Sequence, residues 1–561
     1  MPRRMDLSVL LMVLMLCLLA FMTIYPLGMI VYGSFRSGPP GDPAGTWSLK
    51  GYITGFGDST IPKAMWNTFW IAAVRQFISL ALGIFFTWLV IRTDLPFKGP
   101  LETLFWLNYF LPNMPLVFGW IQVLDPDYGF ANQIWRALPF TEGPLLNIYS
   151  YAGIIWVHTA NGVATKVLLF GPAFINMDAA LEDSAKMSGS SNIWTLIKIT
   201  FPILLPAIMG VTFLGFIHSL ESFETELLLG MPARIFVYST KVYDLLRWEP
   251  PRYPSAMALS MVFMVTIGIL VLIQRNLMAR RQYATVTGRG FNIRPVGLGK
   301  MKWPLFSLTA LFIAVTTFLP FFFLIVGTFM KISGLFMVPE PFTLKNWRAV
   351  FRDPLFWPSV KNSLMLATGV AVARSIFDTI ISYIIVRTKL AGRSALELMS
   401  WLPWAAPGML VSLGILWVFL GGVIPLKFFY GTLPLIGFAM LITGLPVGVR
   451  VMNGTMVQLG KELEESARVL GASWTYTFRT IVIPLLLPSM TTLAFIGFLN
   501  AMVNVQTVVL LYTSKSRTLS ILMLEHYIGM SPEKGMVIGV MVSLFAFAVA
   551  AVARGFRIRL R

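Results

Sequence analysis

The chain of 561 residues is 56% hydrophobic and only 12% charged, with a mean hydropathy of +0.74, whereas soluble domains carry roughly a quarter charged residues. These proportions exclude an ordinary soluble globular protein and describe a chain built for lipid. The net charge of +19 does not indicate nucleic acid, because the basic residues flank apolar runs: Arg3 and Arg4 before the first, Arg554, Arg557, Arg559 and Arg561 after the last, and Arg275, Arg280, Arg281, Arg289, Arg294, Lys300 and Lys302 in the middle.

Apolar runs of the ~20 residues needed to cross a bilayer recur from end to end. A lipid-exposed backbone must satisfy its own hydrogen bonds, so the runs are expected to be helices; the short alternating segments of a β-barrel are missing. The first run, "LSVLLMVLMLCLLAFMTIYPLGMIVYG", is longer than the apolar part of a secretory signal and reads as a retained span. Cys17 within it is the only cysteine, and His158, His218 and His526 are scattered, so neither a disulfide nor a metal site is expected, and no cofactor. Spans are expected near 8–33, 65–91, 102–124, 150–173, 201–221 and 255–275, with the Gly- and Pro-rich stretch 40–64 as an external loop. Six more follow near 304–330, 358–387, 395–420, 433–455, 484–511 and 533–553. Basic residues at both termini and in the centre mark the cytoplasmic side, which requires an even number of spans in each half.

The two halves align. "WNTFWIAAVRQFISLALGIFFTWLVIRTDL" matches "KNSLMLATGVAVARSIFDTIISYIIVRTKL", placing Asn67 against Asn362 and Arg92-Thr93 against Arg387-Thr388, and the match continues to Pro112 against Pro407. After a shift of register at the external loop around "DPDYGFANQIW", "FLGFIHSLESFET" faces "FIGFLNAMVNVQT". The expected organisation is a first repeat over 1–275, a basic cytoplasmic linker over 276–303 and a second repeat over 304–561. With an even number of spans each, the repeats are parallel, related by an axis along the membrane normal.

Each repeat has one polar insert between its fourth and fifth spans, at about 177–201 and 459–483. Glu182, Ala185 and Gly189 recur as Glu464, Ala467 and Gly471, with Ser184 matching Ser466; spacings of three and seven put such residues on one helix face. Early acids suit the helix dipole and the glycines suit a left-handed stop. Pro202 and Pro206, like Pro484 and Pro488, shape the start of the next span.

Polar residues at membrane depth, Asn161, Thr165, Asn500 and Asn504, are candidates for lining a pathway or for bonding neighbouring helices. Glu221, Glu224 and Glu226 gather at the outer end of the fifth span, where the second half has Val503, Gln506 and Val508. They are candidates for an acidic mouth that draws a cation or meets a substrate-delivery protein. No G-x4-G-K-[ST] loop occurs, so ATP is not held by that route.

The inserts, "EDSAKMSG" followed by "ITFPILLP" and "EESARVLGA" followed by "IVIPLLLP", resemble the EAA loop of membrane subunits of binding-protein-dependent ABC importers, with Ser190 in the first copy where the second keeps Ala472. The resemblance implies an all-α integral membrane protein of about 12 transmembrane helices in two tandem parallel repeats of six, each with the MetI-like core of a type I importer. It implies that each insert is a coupling helix seated in a groove of a cytoplasmic ATPase, with Glu182, Ser184, Ala185, Gly189, Glu464, Ser466, Ala467 and Gly471 as its positions. Two ATPase copies, a periplasmic or extracellular solute-binding protein and membrane lipid are the implied partners, in a bacterial inner membrane with both termini cytoplasmic. The chain is then no enzyme itself. "RRQYATVTGRGFNIRPVG" and "SFETELLLGMPARIFVYSTKVYDLL" are similar to the ferric-iron branch of fused importers, while related permeases handle thiamine or aminoalkylphosphonates. An ion-coupled secondary transporter also uses parallel six-span repeats, and a membrane enzyme would need clustered acids, histidines or cysteines.

Overall fold

A computed structural model describes residues 7–175, 184–185, 187–279, 295–336, 338–422 and 426–555. Glu182, most of the basic linker, and Arg3, Arg4, Arg557, Arg559 and Arg561 lie outside these residues. Among the described residues the elements are helices, joined by loops with isolated bridge contacts and no strand.

Nine helices in that set are long and apolar enough to cross a membrane, and two bent pairs raise the number to as many as eleven. In chain order the first half contributes α1 (Met12–Ser34), α2 (Thr60–Arg92), α3 (Lys98–Phe110), α4 (Asn113–Leu124), α5 (Tyr151–Ile175), α6 (Phe201–Leu220), the short α7 (Tyr238–Arg247) and α8 (Tyr253–Gln274). The second contributes α9 (Gly299–Phe329), α10 (Phe356–Arg387), α11 (Arg393–Trp404), α12 (Gly408–Gly421), α13 (Leu433–Gln458), α14 (Glu462–Val469), α15 (Trp474–Val503), α16 (Leu519–Ile528) and α17 (Pro532–Val552).

The single span expected at 102–124 is instead two helices, α3 and α4. Leu111 is extended at φ −67° and ψ 128° ahead of Pro112, as the residue before a proline is biased to be. The corresponding break lies at Ala406-Pro407, where α11 and α12 meet at 109°. Prolines also explain how each span after an insert begins. Widened turns at Leu196–Thr200 and Phe478–Val482 precede Pro202 and Pro484, whose missing N–H groups leave the carbonyls four residues back without helical partners.

Each half lends its first span to the other. α1 lies on α12 so closely that a Cβ on Gly414 would sit 2.6 Å from the Pro26 carbonyl oxygen, and α9 lies on α4 with a Cβ on Gly119 1.9 Å from the Pro320 carbonyl oxygen. Only a residue without a side chain permits such backbone contact. The aligned asparagines also have equivalent tasks: Asn67 donates to the Phe236 carbonyl at 2.9 Å, and Asn362 to those of Lys515 and Arg517 at 3.0 and 2.9 Å. Beside them the hydroxyls of Thr68 and Ser363 each accept an N–H at the start of α7 or α16, at 2.7 Å in both cases. The end of the linker runs along α2, with Val296 donating to the Arg92 carbonyl at 2.7 Å and Leu298 to the Asp94 carboxylate at 2.9 Å.

Candidate functional site

Between the halves, where α2, α5 and α6 face the end of α15, lies a cavity of about 460 Å³. Its wall brings together all four polar residues singled out in the sequence, Asn161, Thr165, Asn500 and Asn504, along with Glu221 and Glu224. Several are turned to neighbours. Asn161 donates to Asn113 at 2.8 Å, Thr165 donates to its own helix, and Asn504 accepts the Thr507 N–H at 2.8 Å.

Glu226 is not at a mouth. Its carboxylate is 2% exposed, with Oε1 2.8 Å from His158 Nε2 and 3.8 Å from Arg75 Nη1, while Ser222 donates to Oε2. A carboxylate leaves water at high cost unless charge and hydrogen bonds replace its hydration; α2 and α5 bring both, so the side chain turns inward. Arg75 is further held by donating to the Ser219 carbonyl. The expected trio of acids at the cavity is thus a pair, Glu221 and Glu224, with His218 3.5 Å from Glu221.

Arg75 and Lys166, which the sequence did not single out, also line the cavity, together with His158, one of the three scattered histidines. The available signal was charge inside an apolar run, which in a membrane protein is a functional hypothesis by default. Lys166 on α5 packs its stem against Gly83 of α2, where a Cβ would lie 2.3 Å from the lysine Cβ. The second half has the mirror arrangement: Asp378 on α10 fills the space beside Gly448 of α13, whose Cβ would fall 1.7 Å from Oδ2. There the charge is closed in, with Arg374 Nε 3.4 Å from Asp378 and Arg374 donating to the Gly444 carbonyl at 2.6 Å.

The two inserts finish alike. Gly189 and Gly471 adopt φ of +83° and +85°, and the next residues, Ser190 and Ala472, each donate to the carbonyl of Ala185 or Ala467 at 3.0 Å. These are left-handed helix stops closed by a six-residue bond. In the first insert, Ser184 is exposed and Ala185 buried.

Glu464 departs from the expected docking face. It is buried against the protein, 3.2 Å from Arg387 Nε and accepting from the Tyr383 hydroxyl at 3.1 Å, while Trp474 donates to the same hydroxyl at 3.0 Å. The acid therefore anchors α14 to the end of α10. Outward face instead Ser466, Val469, Leu470 and Gly471, with Val469 86% and Leu470 87% exposed and Ala467 half-buried. Leu463, Leu470, Gly471 and Tyr476 border an open depression.

Residues 366–561 match the family described as binding-protein-dependent transport system inner membrane component. The chain is 27% identical over 420 residues to a putative ferric transport system permease protein of Haemophilus influenzae, covering 72% of this chain and 65% of that protein. It is 25% identical over 520 residues to a ferric transport system permease protein of Actinobacillus pleuropneumoniae, with 89% and 71% covered. A probable ABC transporter permease protein of Sinorhizobium fredii is 27% identical over 519 residues, with 89% and 88% covered. The chain thus spans just under two thirds of the Haemophilus relative and more of the others. The matched second half, the apolar helices and the two alike insert ends make this chain similar to binding-protein-dependent transport system inner membrane components.

Proposed function

We propose that the chain is the permease subunit of an ABC importer: a tandem duplication whose halves enclose a solute pathway and seat two cytoplasmic ATPase copies, one under each insert. The observation that carries this reading is the pair of matched helix stops at Gly189 and Gly471, with a polar cavity between the halves. A short helix anchored from behind by Glu464 and presenting Leu470 and Gly471 outward is suited to lie in a groove. Closure of the ATPases beneath it moves the insert as a lever on α10, through the Arg387–Glu464 contact. A solute-binding protein delivers cargo to the opposite face, and both termini lie with the inserts in the cytoplasm.

The relatives named for ferric transport favour iron as cargo, handed through as substrate and not retained. Competition of uptake by ferric complexes, thiamine and phosphonates tests that choice. For docking, Gly189→Trp and Gly471→Trp place bulk where the groove closes. The expected outcome is loss of co-purifying ATPase and at least a tenfold drop in uptake, with the permease still inserted. Retention of the ATPase with full uptake overturns the docking assignment, and uptake by the chain alone under an ion gradient replaces it with secondary transport.

A further inference from the structure

The cavity holds a lysine that makes no ion pair or hydrogen bond among the described residues. Lys166 is 7% exposed, and among the described residues no carboxylate or acceptor pairs with its ammonium. Gly83 admits its stem, since a Cβ there would lie 2.3 Å from the lysine Cβ, and Gly162 lies beside Nζ. The other cations on the wall have partners, while Glu224, nearer His158, is without an ion pair among the described residues. Arg75 is held by Glu226 and Ser219, and His218 faces Glu221.

The charges are also sorted by depth. Ser222 contacts both His158 and Glu226, so its sequence neighbours Glu221 and Glu224 lie near that level. Lys166 is two helical turns farther along α5 than His158, about 12 Å deeper toward the inserts. An ammonium at membrane depth with no counter-ion is costly, and an anion entering the cavity that Lys166 lines lowers that cost. A bare metal cation at the same place meets repulsion.

We propose that Lys166 is a binding residue for an anionic oxygen group, a carboxylate or phosphate, carried by the transported solute. This deepens the importer reading and rests on the cavity being the solute pathway. If iron is the cargo, it passes as a complex whose ligand oxygens face Lys166, not as the naked ion. The same chemistry serves a free organic anion or phosphate.

The test is equilibrium binding of labelled phosphate, citrate and ferric citrate to the full chain in lipid nanodiscs, for wild type, Lys166→Met and Lys166→Arg. Saturable binding is expected in wild type, at least tenfold weaker in Lys166→Met and largely kept in Lys166→Arg. Binding of phosphate or citrate alone identifies a free anion as sufficient; binding of ferric citrate only identifies the chelate as the source; both support the proposal. Absence of saturable binding of all three probes, or a monodisperse Lys166→Met chain that binds as well as wild type, overturns it. Iron uptake by cells expressing the whole complex separates the two readings. No iron uptake with anion binding intact sinks iron as cargo and leaves the lysine site standing, whereas normal iron uptake with binding indifferent to Lys166 sinks the lysine site alone.

Discussion

The helix pairs α2 with α5 and α10 with α13 solve one packing problem with opposite placement of charge. In both, a glycine on one helix receives a long or charged side chain from the other, but the first half puts Gly83 on α2 and Lys166 on α5, and the second puts Asp378 on α10 and Gly448 on α13. The second half then closes its charge internally through Arg374. The first leaves its ammonium on the cavity wall. A buried pair needs nothing from outside, whereas a lone cation does, which is the basis of the anion site proposed at Lys166.

The largest expected effect comes from opening the closed half. Asp378→Leu strands Arg374 in the membrane interior and should destabilise by ~3–5 kcal/mol, as removal of one member of a buried pair does. The double variant Arg374→Met with Asp378→Leu should recover most of that loss, measured as the thermal midpoint of the detergent-solubilised chain. A single variant as stable as the wild type would show that the pair is not a closed unit. The steric part of the comparison is sharpened by Gly83→Leu and Gly448→Leu, each expected to cost ~1–3 kcal/mol by overpacking. Equal losses support one solution used twice, and a neutral Gly83→Leu breaks the correspondence.

The smallest effect concerns how the halves are joined. The Leu298 backbone N–H, with Lys302 beside it, holds the Asp94 carboxyl below its ordinary range. A depressed carboxylate contributes stability above its unfolded pKa, and that contribution is lost as pH falls through the folded value. Because Asp94 is solvent-accessible, Asp94→Asn should shift the midpoint only slightly at neutral pH. The difference from wild type should vanish only once the pH has fallen below the ordinary carboxylate range and through the depressed folded value, where both lack the charge; a difference persisting in stronger acid would assign it to lost packing.

Much of this was legible along the chain. The match of Asn67 with Asn362 has a structural meaning in the two caps that these residues and Thr68 or Ser363 supply. Pro112 and Pro407 were aligned, yet the bend each imposes was hidden, because hydropathy counts a proline-broken pair of short helices as one span. Asn161, Thr165, Asn500 and Asn504 were found by polarity and do line one cavity. Arg75 and Lys166 stand as single cations in apolar runs, and nothing in the neighbouring residues marks them as lining the same cavity, although a lone cation there carries great energetic weight.

The sequence by itself determined that this protein is a bundle of membrane-crossing helices interrupted by two alike polar inserts, because span length follows from bilayer thickness and helix stops follow from local backbone chemistry. Only the tertiary structure decided which way the acids point. Glu226 turns in to a histidine 68 positions away and Glu464 to a tyrosine 81 positions away. A buried charge takes its direction from whichever distant helix supplies the counter-charge, and spacing along one chain segment carries no record of that choice.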